Sequence, residues 1–115
     1  MDRSQNKSIG NVGEELAAEF LRREKYKILG RNINYPFGEI DILARDRDGA
    51  IVIVEVKTVR GFGWGGAADL VRHSKQQKLR LLARAITQEF PKNNLRIDVI
   101  AIDGDEINHI KNAVF

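Results

Sequence analysis

Three charged residues interrupt two otherwise apolar, strand-like runs of the sequence: Asp41 in the first run, and Glu55 and Lys57 in the second. Two carboxylates held close together repel each other, so that either one takes up a proton or the pair binds a cation. Carboxylate oxygens are hard ligands, and with no cysteine and only 2 histidines in the chain the cation they favour is Mg²⁺ or Mn²⁺. A lysine beside such an ion can orient an attacking water and stabilise charge that develops on a phosphate. These residue types therefore suit metal-assisted hydrolysis of a phosphodiester.

Whether the three charges meet depends on the turn between the two runs. Glu55 and Lys57 are two residues apart on one strand and point to the same face. A three-residue loop over residues 47–49 sets Asp41 opposite Glu55. A two-residue turn over residues 48–49 shifts the pairing by one residue and sends the carboxylates to opposite faces. The functional interpretation requires the three-residue loop.

Composition narrows the class of protein. The 115 residues suffice for one domain with a modest core, taken here as residues 1–115. The absence of cysteine excludes disulfides and zinc fingers. No apolar run approaches the ~18 residues of a membrane span and the start lacks the apolar segment of a signal peptide, so a cytoplasmic protein without membrane association is expected. A net charge of +3 and a pI near 9.4 permit a polyanionic partner.

Hydrophobic periodicity predicts an α/β fold in which helices cover both faces of a mixed sheet. Apolar stripes with a 3.6-residue period predict two helices, and the second stops before Pro91. Alternating or β-branched runs predict the strands. The predicted order is α-β-β-β-α-β-β, a three-layer α/β/α sandwich, with helices over about 8–24 and 74–89 and strands over about 26–32, 39–45, 50–57, 95–103 and 106–111.

The remaining segments are predicted from turn chemistry and from burial. Residues 1–8 are polar and expected to fray, residues 34–38 form a connection, and residues 58–68 form a mobile glycine-rich loop. The third strand is almost continuously apolar, which predicts a central strand, joined to the fourth by a right-handed parallel crossover. Alternation along the second strand predicts two opposed sets of side chains, Ile40, Ile42 and Ala44 against Glu39, Asp41 and Leu43.

The order of these residues resembles that of a known nuclease superfamily. Asp41 followed by Glu55-Val56-Lys57 resembles the PD-(D/E)xK nucleases, which include restriction endonucleases and archaeal Holliday-junction resolvases. The fuller pattern covers nearly the whole chain and is similar to the bacterial YraN family of small nuclease-like proteins: Gly10-x-x-Gly13-Glu14-x-x-Ala17, Gly38-Glu39-Ile40-Asp41 and Val54-Glu55-Val56-Lys57. The resemblance implies a restriction-endonuclease-like fold.

The resemblance also implies roles for the residues of this pattern. Asp41 and Glu55 would be catalytic ligands of Mg²⁺, with Mn²⁺ as a substitute. The main-chain carbonyl of Val56 would be a further ligand, and Lys57 would act on the attacking water. The implied cofactor is therefore the same ion that the residue types favour.

A second acidic position is implied on the first helix. Glu14 matches an additional catalytic and metal-binding acid of resolvase-like members, whereas helical periodicity by itself does not decide between Glu14 and Glu15. Glu39 lies nearer the strand start and is expected beside the site or in solvent rather than on the ion. Ile40 departs from the superfamily pattern, which often has proline before the aspartate.

Basic and polar residues around the start of the second helix are candidates for nucleic-acid contact. Lys75 and Gln76 flank the apolar stripe of that helix and should lean toward the sheet, where the helix N-terminus could receive a phosphate. A basic cluster either contacts phosphates or forms a solvated face; its members are Arg72, Lys78, Arg80 and Arg84.

The segment Gly61–Gly66 formally matches the dinucleotide-binding pattern GxGxxG. The preceding strand does not belong to a βαβ pair at the N-terminus of the chain, and no acid follows at ~20 residues, so dinucleotide binding is disfavoured. A flexible loop remains one interpretation. The other is a lid in which Phe62 or Trp64 stacks on bases or wedges a junction.

The sequence therefore predicts a Mg²⁺-dependent endonuclease that acts on DNA, with branched or structured DNA as one substrate class. The alternative is a non-catalytic nucleic-acid-binding module on the same fold. RNA in place of DNA stays open, and so does a homodimer, which a junction resolvase would need.

Overall fold

The computed structural model describes residues 8–59 and 73–113. The predicted glycine-rich loop lies outside these ranges apart from Thr58 and Val59, which belong to a strand and not to a loop. Residues 1–7 of the predicted frayed terminus also lie outside them, and Ser8 is already helical.

Two helices and five strands occur in the predicted order. Their bounds are α1 (Ser8–Arg23), β1 (Lys27–Tyr35), β2 (Gly38–Arg45), β3 (Ile51–Val59), α2 (His73–Glu89), β4 (Leu95–Asp103) and β5 (Glu106–Ile110). Within the described residues no helix is both long enough and apolar enough to cross a bilayer.

The connection between β1 and β2 is shorter than predicted. Tyr35 still pairs with Gly38, so only Pro36 and Phe37 lie between the strands. The Tyr35 and Phe37 rings stack with their centroids 5.5 Å apart, which holds the turn closed. The prediction of a connection over residues 34–38 is therefore wrong at both ends, because aromatic packing across the turn keeps its flanks in the ladder.

The five strands form one mixed sheet in the order β1-β2-β3-β4-β5. β3 and β4 are parallel, whereas the other neighbouring pairs are antiparallel. The central position of β3 confirms the prediction from its apolar sequence, and its parallel pairing with β4 confirms the prediction from the strand–helix–strand order. A strand covered on both faces can bury every side chain, which is why the run lacks polar alternation.

Each face of the sheet carries its own apolar core, which confirms the three-layer α/β/α sandwich. The core under α1 contains Ala17, Ala18, Leu21, Tyr26, Ile42, Ala44, Val52, Val54, Ile100 and Ile102. The core under α2 contains Ile40, Leu43, Ile51, Ile53, Leu79, Leu82, Ile86 and Ile97. Even-numbered residues of β3 therefore face α1 and odd-numbered ones face α2.

The β2–β3 hairpin has the three-residue loop that the functional interpretation requires. The Asp46 N–H donates to the Ala50 carbonyl at 2.9 Å, and the ladder continues through Leu43 opposite Ile53. Gly49 has φ of 92°, a left-handed conformation that glycine adopts without a side-chain clash. The paired register ends at Ile42 opposite Val54, so that Asp41 and Glu55 are the next residues of the two strands.

One prediction about β2 is wrong. Ile40 packs in the α2 core, whereas Ile42 packs in the α1 core, so the two do not share a face. The neighbouring ladder pairs Arg31 with Ile42 and Ile33 with Ile40. Between these pairs Asn32 has φ of 52°. The alternation of side chains in β2 is therefore interrupted between Ile40 and Ile42, at the level of Asp41.

A buried polar network links β4 and β5 to the loop of the β2–β3 hairpin. Asp98 is fully buried on β4, accepts hydrogen bonds from Arg96 Nε at 3.0 Å and from the Asn112 N–H at 2.9 Å, and lies 2.7 Å from His109 Nε2. Arg96 also donates to Asp46 at the base of the hairpin loop. The loop that sets the β2–β3 register is therefore tied to β4 and β5.

Candidate functional site

A cavity of about 200 Å³ opens where β2 begins and β3 nears its end, beside the first turns of α2. Its lining combines three carboxylates and one ammonium with an apolar floor: Gly38, Glu39, Asp41, Glu55, Lys78, Leu79 and Leu82. The predicted convergence of Asp41 and Glu55 is therefore present in the structure. The cavity lies at the edge of the α2 core, where a charged group stays partly hydrated.

The Asp41 side chain makes a hydrogen bond to β3 at a position where a main-chain group of β2 would normally pair. Its Oδ2 atom accepts a hydrogen bond from the Val56 N–H at 2.8 Å, just beyond the last β2–β3 pair, which joins Ile42 and Val54. The Val56 N–H therefore points toward β2, where it is bonded to the Asp41 carboxylate.

Burial raises the pKa of Asp41 from 3.8 to about 7, and the negative charge of Glu55 is the next contribution. The Val56 N–H acts in the opposite direction, and the more distant charges of Glu14 and Glu39 raise the pKa further. A carboxyl group that titrates near neutrality responds strongly to any added positive charge.

Glu14 and Glu15, which are adjacent on α1, bind different residues of β1. Arg31 Nη1 donates to Glu15 Oε1 at 2.6 Å, and the Glu15 side chain is 56% exposed. Asn32 Nδ2 donates to Glu14 Oε1 at 2.9 Å, and the Glu14 side chain is only 15% exposed. The charge of Glu14 also acts on Asp41. Of the two glutamates, Glu14 is the one that faces the site.

A close approach between α1 and β3 brings Glu14 to this place. A Cβ atom on Gly13 would lie 2.8 Å from the Thr58 Oγ1 atom, closer than side chains tolerate. Glycine at this position therefore lets the helix rest against the strand. The helix then presents Glu14, the next residue, to the end of the sheet where Asp41 lies.

Glu39 is also held beside the site. The Asn32 amide that binds Glu14 donates to Glu39 Oε2 at 3.1 Å. Glu39 lines the cavity and remains exposed to solvent. The sequence indicated a position next to the site for Glu39, but it did not indicate the residue that holds it there.

The lysine predicted to act on water, Lys57, lies two residues beyond Glu55 on β3 and is exposed. β3 keeps one register with β4 from Ile51 to Val59. Glu55 and Lys57 therefore share the α2 side of the sheet with Ile53.

The structure describes some of the residues that were predicted to contact nucleic acid, but not all of them. Lys78 lines the cavity, so this member of the basic cluster belongs to the site and not to a remote solvated face. Gln76 is partly buried in the first turns of α2. The side chain of Lys75 and all of Arg72 and Trp64 lie outside the part of the chain that the structure describes.

The donor set suits a small hard cation. Asp41 and Glu55 line the same cavity with their carboxylates, and the Val56 N–H is bonded to Asp41. Mg²⁺ is commonly held by one or two carboxylates and keeps several waters. Across residues 8–59 and 73–113, no three acidic or histidine side chains converge closely enough to hold one ion. Direct coordination by Glu14 therefore stays a prediction, whereas its placement beside Asp41 is a finding.

The sequence did not indicate Asn32 as a residue that contacts the acidic side chains of the site. Asparagine is depleted inside strands and is enriched among residues with positive φ. Its place at the end of the strand predicted over about 26–32 was the available signal. Its two carboxylate partners, Glu14 and Glu39, lie 18 and 7 residues away, and no local pattern connects them.

Solved structures with limited similarity include two endonuclease-related chains. A repair endonuclease from Pyrococcus abyssi has a TM-score of 0.49 and 16% identity, covering 91% of this chain and 41% of that one. A chain of an EndoMS–dsDNA2 complex has a TM-score of 0.47 and 19% identity, covering 76% of this chain and 34% of that one. The chain thus spans less than half of either solved chain.

Sequence comparison gives a direct family assignment. The model described as "Uncharacterised protein family UPF0102" matches residues 13–102. A UPF0102 protein of Thermodesulfovibrio yellowstonii is 44% identical over 111 residues, covering 93% of this chain and 96% of that protein. A UPF0102 protein of Desulforamulus reducens is 40% identical over 119 residues, covering 96% and 98%. The resemblance to the YraN family is confirmed, and the chain belongs to the uncharacterised protein family UPF0102.

Proposed function

We propose that this chain is a divalent-metal-dependent endonuclease that hydrolyses phosphodiester bonds in DNA. The observation that carries the proposal is the meeting of Asp41 and Glu55 in one cavity, with the Val56 main chain bonded to Asp41. Two partly buried carboxylates that repel each other do not stabilise a sheet, so a purely structural role does not explain their positions. A cation relieves the repulsion, and hydrolysis of a phosphodiester makes use of the cation.

In this proposal Asp41, Glu55 and the Val56 carbonyl hold Mg²⁺, for which Mn²⁺ can substitute. The ion would supply Lewis-acid polarisation of the phosphate and activation of water. Lys57 orients the attacking water from the end of β3, on the same face as Glu55. Glu14 adds negative charge behind Asp41 and so favours the bound cation over the proton.

Contacts to the nucleic acid come from the α2 side. Lys78 reaches the cavity that contains both carboxylates, and a lysine there can bind a phosphate oxygen as a point charge. Lys75 and Gln76 precede it on the helix and extend the contact along the backbone. Arg72 and Trp64 complete the proposed interface, with Trp64 stacking on an exposed base.

Cleavage assays on matched substrates test the proposal. Linear duplex, single-stranded and four-way-junction DNA, together with duplex RNA, are incubated with the protein in Mg²⁺, Mn²⁺ or EDTA. We expect metal-dependent cleavage of DNA that Asp41→Asn, Glu55→Gln and Lys57→Met abolish, while Glu15→Gln on the exposed side of α1 retains it. Faster cutting of the junction would assign branched DNA as the substrate, and sedimentation of the junction complex would then test the homodimer.

The alternative, a non-catalytic nucleic-acid-binding module, has a different outcome in the same assay. DNA would be retained in a gel-shift experiment and would stay intact with either metal. Calorimetry separates the metal from the reaction: Mn²⁺ binding that is lost in Asp41→Asn and Glu55→Gln supports the site. Equally negligible binding by the wild type and both variants would overturn it.

A further inference from the structure

One side-chain amide bridges two acidic residues from different layers of the fold. Asn32 Nδ2 donates to Glu14 Oε1 of α1 at 2.9 Å and to Glu39 Oε2 of β2 at 3.1 Å. An amide nitrogen has two hydrogens, and both are used on carboxylates here. The bridge joins the helix on one face to the start of the strand that carries Asp41.

The backbone of Asn32 makes this bridge possible. With φ of 52°, Asn32 interrupts the alternation of β1 between Arg31 and Ile33. Arg31, the preceding residue, reaches α1 through Glu15. The left-handed conformation lets the next side chain reach α1 as well, where regular alternation would turn it to the other face. Asparagine is one of the few residues that tolerate this conformation.

The bridge concentrates negative charge beside the proposed cation site. Glu14 and Glu39 both lie close enough to Asp41 for their charges to act on it. Two carboxylates that share one amide repel each other, and without the amide each would turn toward water. The Arg31 guanidinium, 3.9 Å from Glu14, would remain to draw that residue away from Asp41.

We infer that Asn32 is a positioning residue of the cation site: its amide holds Glu14 and Glu39 beside the Asp41–Glu55 pair and thereby strengthens divalent-cation binding. Neither glutamate needs to touch the ion for this role. Residues that orient the surroundings of a metal site commonly alter its affinity by about 10- to 100-fold when they are removed. The inference rests on the proposed metal-dependent function, and the experiment below separates the two.

A purely structural role for Asn32 is the competing explanation, since its positive φ interrupts the alternation of side chains in β1. Asn32→Gly distinguishes the two, because glycine keeps the positive φ and removes only the amide. Asn112→Gly is a matched control, since Asn112 also has positive φ, at 54°, and lies beyond β5 with its side chain exposed. Thermal unfolding monitored by circular dichroism shows that each variant is folded before any titration.

The test is calorimetric titration of the full-length chain with Mn²⁺, after metal is removed with EDTA and the EDTA by dialysis. We expect Asn32→Gly to weaken Mn²⁺ binding about tenfold and Asn112→Gly to leave it unchanged. The double variant Glu14→Gln/Glu39→Gln should reproduce the loss. Adding Asn32→Gly to that double variant should cause no further loss, since the amide then has no carboxylates to hold.

Each outcome bears on a definite claim. Unchanged Mn²⁺ affinity in Asn32→Gly, with binding by the wild type, overturns the positioning role and leaves the proposed function intact. A loss of equal size in the Glu14→Gln/Glu39→Gln background shows that Asn32 does not act through these two glutamates, which also overturns the inference. A wild type that binds no Mn²⁺ overturns the proposed function and the positioning role with it.

Discussion

The Oδ2 atom of Asp41 accepts a hydrogen bond from the backbone N–H of Val56 at 2.8 Å, so that a side chain completes the ladder where β2 and β3 part. This contact ties the carboxylate to the strand that carries Glu55 and Lys57. A side chain that is fixed by the main chain has little rotational freedom left to lose when a ligand binds. The position of Asp41 is therefore set before any cation or substrate arrives.

Cation binding should depend on pH through Asp41. Burial and the charge of Glu55 raise its pKa to about 7, so a cation must displace a proton below neutrality. We expect the apparent affinity for Mn²⁺ to rise about tenfold per pH unit up to about pH 7 and then to level off. Calorimetry across this range, in buffers of different ionisation enthalpy, measures both affinity and proton release. An affinity that does not change between pH 5 and 7 would contradict the assignment.

Asp41→Asn should stabilise the metal-free protein at high pH. A carboxyl group whose pKa is raised in the fold destabilises the fold above that pKa, and the penalty disappears as the pH falls below the unfolded value of 3.8. At ~1.4 kcal/mol per pKa unit the gain in free energy of unfolding is on the order of 1–4 kcal/mol at pH 8.

Urea unfolding in EDTA at pH 8 and at pH 4.5 measures the effect of this substitution. The gain should be largest at pH 8 and should shrink at pH 4.5, where the wild-type carboxyl group is protonated in the folded state. A loss of stability of the same size at both pH values would show that the geometry of the Val56 hydrogen bond outweighs the charge.

Glu14 and Glu15 offer a comparison in which the net charge of the variants is identical. Glu14 is partly buried beside Asn32 and acts on Asp41, whereas Glu15 is exposed and pairs with Arg31. We expect Glu14→Gln to weaken Mn²⁺ binding by about three- to tenfold and Glu15→Gln to leave it within error of the wild type. Equal effects in calorimetry would mean that only the overall charge of the helix matters.

Lowering the pH should unfold the protein, because protonation of Asp98 weakens the hydrogen-bonded network around it. Hydrogen bonds from His109, Asn112 and Arg96 hold the pKa of this buried carboxyl group below its usual range. A lowered pKa stabilises the fold above the unfolded value near 4, and this stabilisation is lost as the pH falls through the folded pKa. Circular dichroism during acid titration should therefore show cooperative unfolding below about pH 4.

Asp98→Asn tests the same network at neutral pH. It removes one partner of buried ion pairs and should cost about 3–5 kcal/mol of stability. Asp105→Asn, in the exposed turn between β4 and β5, is the matched control and should change stability by less than about 0.5 kcal/mol. Similar losses in urea unfolding for the two variants would contradict the importance of the network.

The sequence by itself determined the order of the elements and the hairpin that carries the site. Local signals were sufficient for the elements, because the apolar period distinguishes helix from strand. A glycine at position 49 fits both a three-residue loop and a two-residue turn, and the structure decided for the three-residue loop, with Asp41 and Glu55 in one cavity. The family motifs added the expected ligands and lysine, whose roles stay predictions.

Only the tertiary structure decided how the surroundings of the site are arranged. The left-handed Asn32, the choice of Glu14 over Glu15 and the entry of Lys78 into the cavity depend on contacts between elements distant in sequence. The separation of Ile40 from Ile42 has the same origin. Strand periodicity assumes a regular backbone, so it shows neither the positive φ of Asn32 in β1 nor the break in alternation between Ile40 and Ile42 in β2.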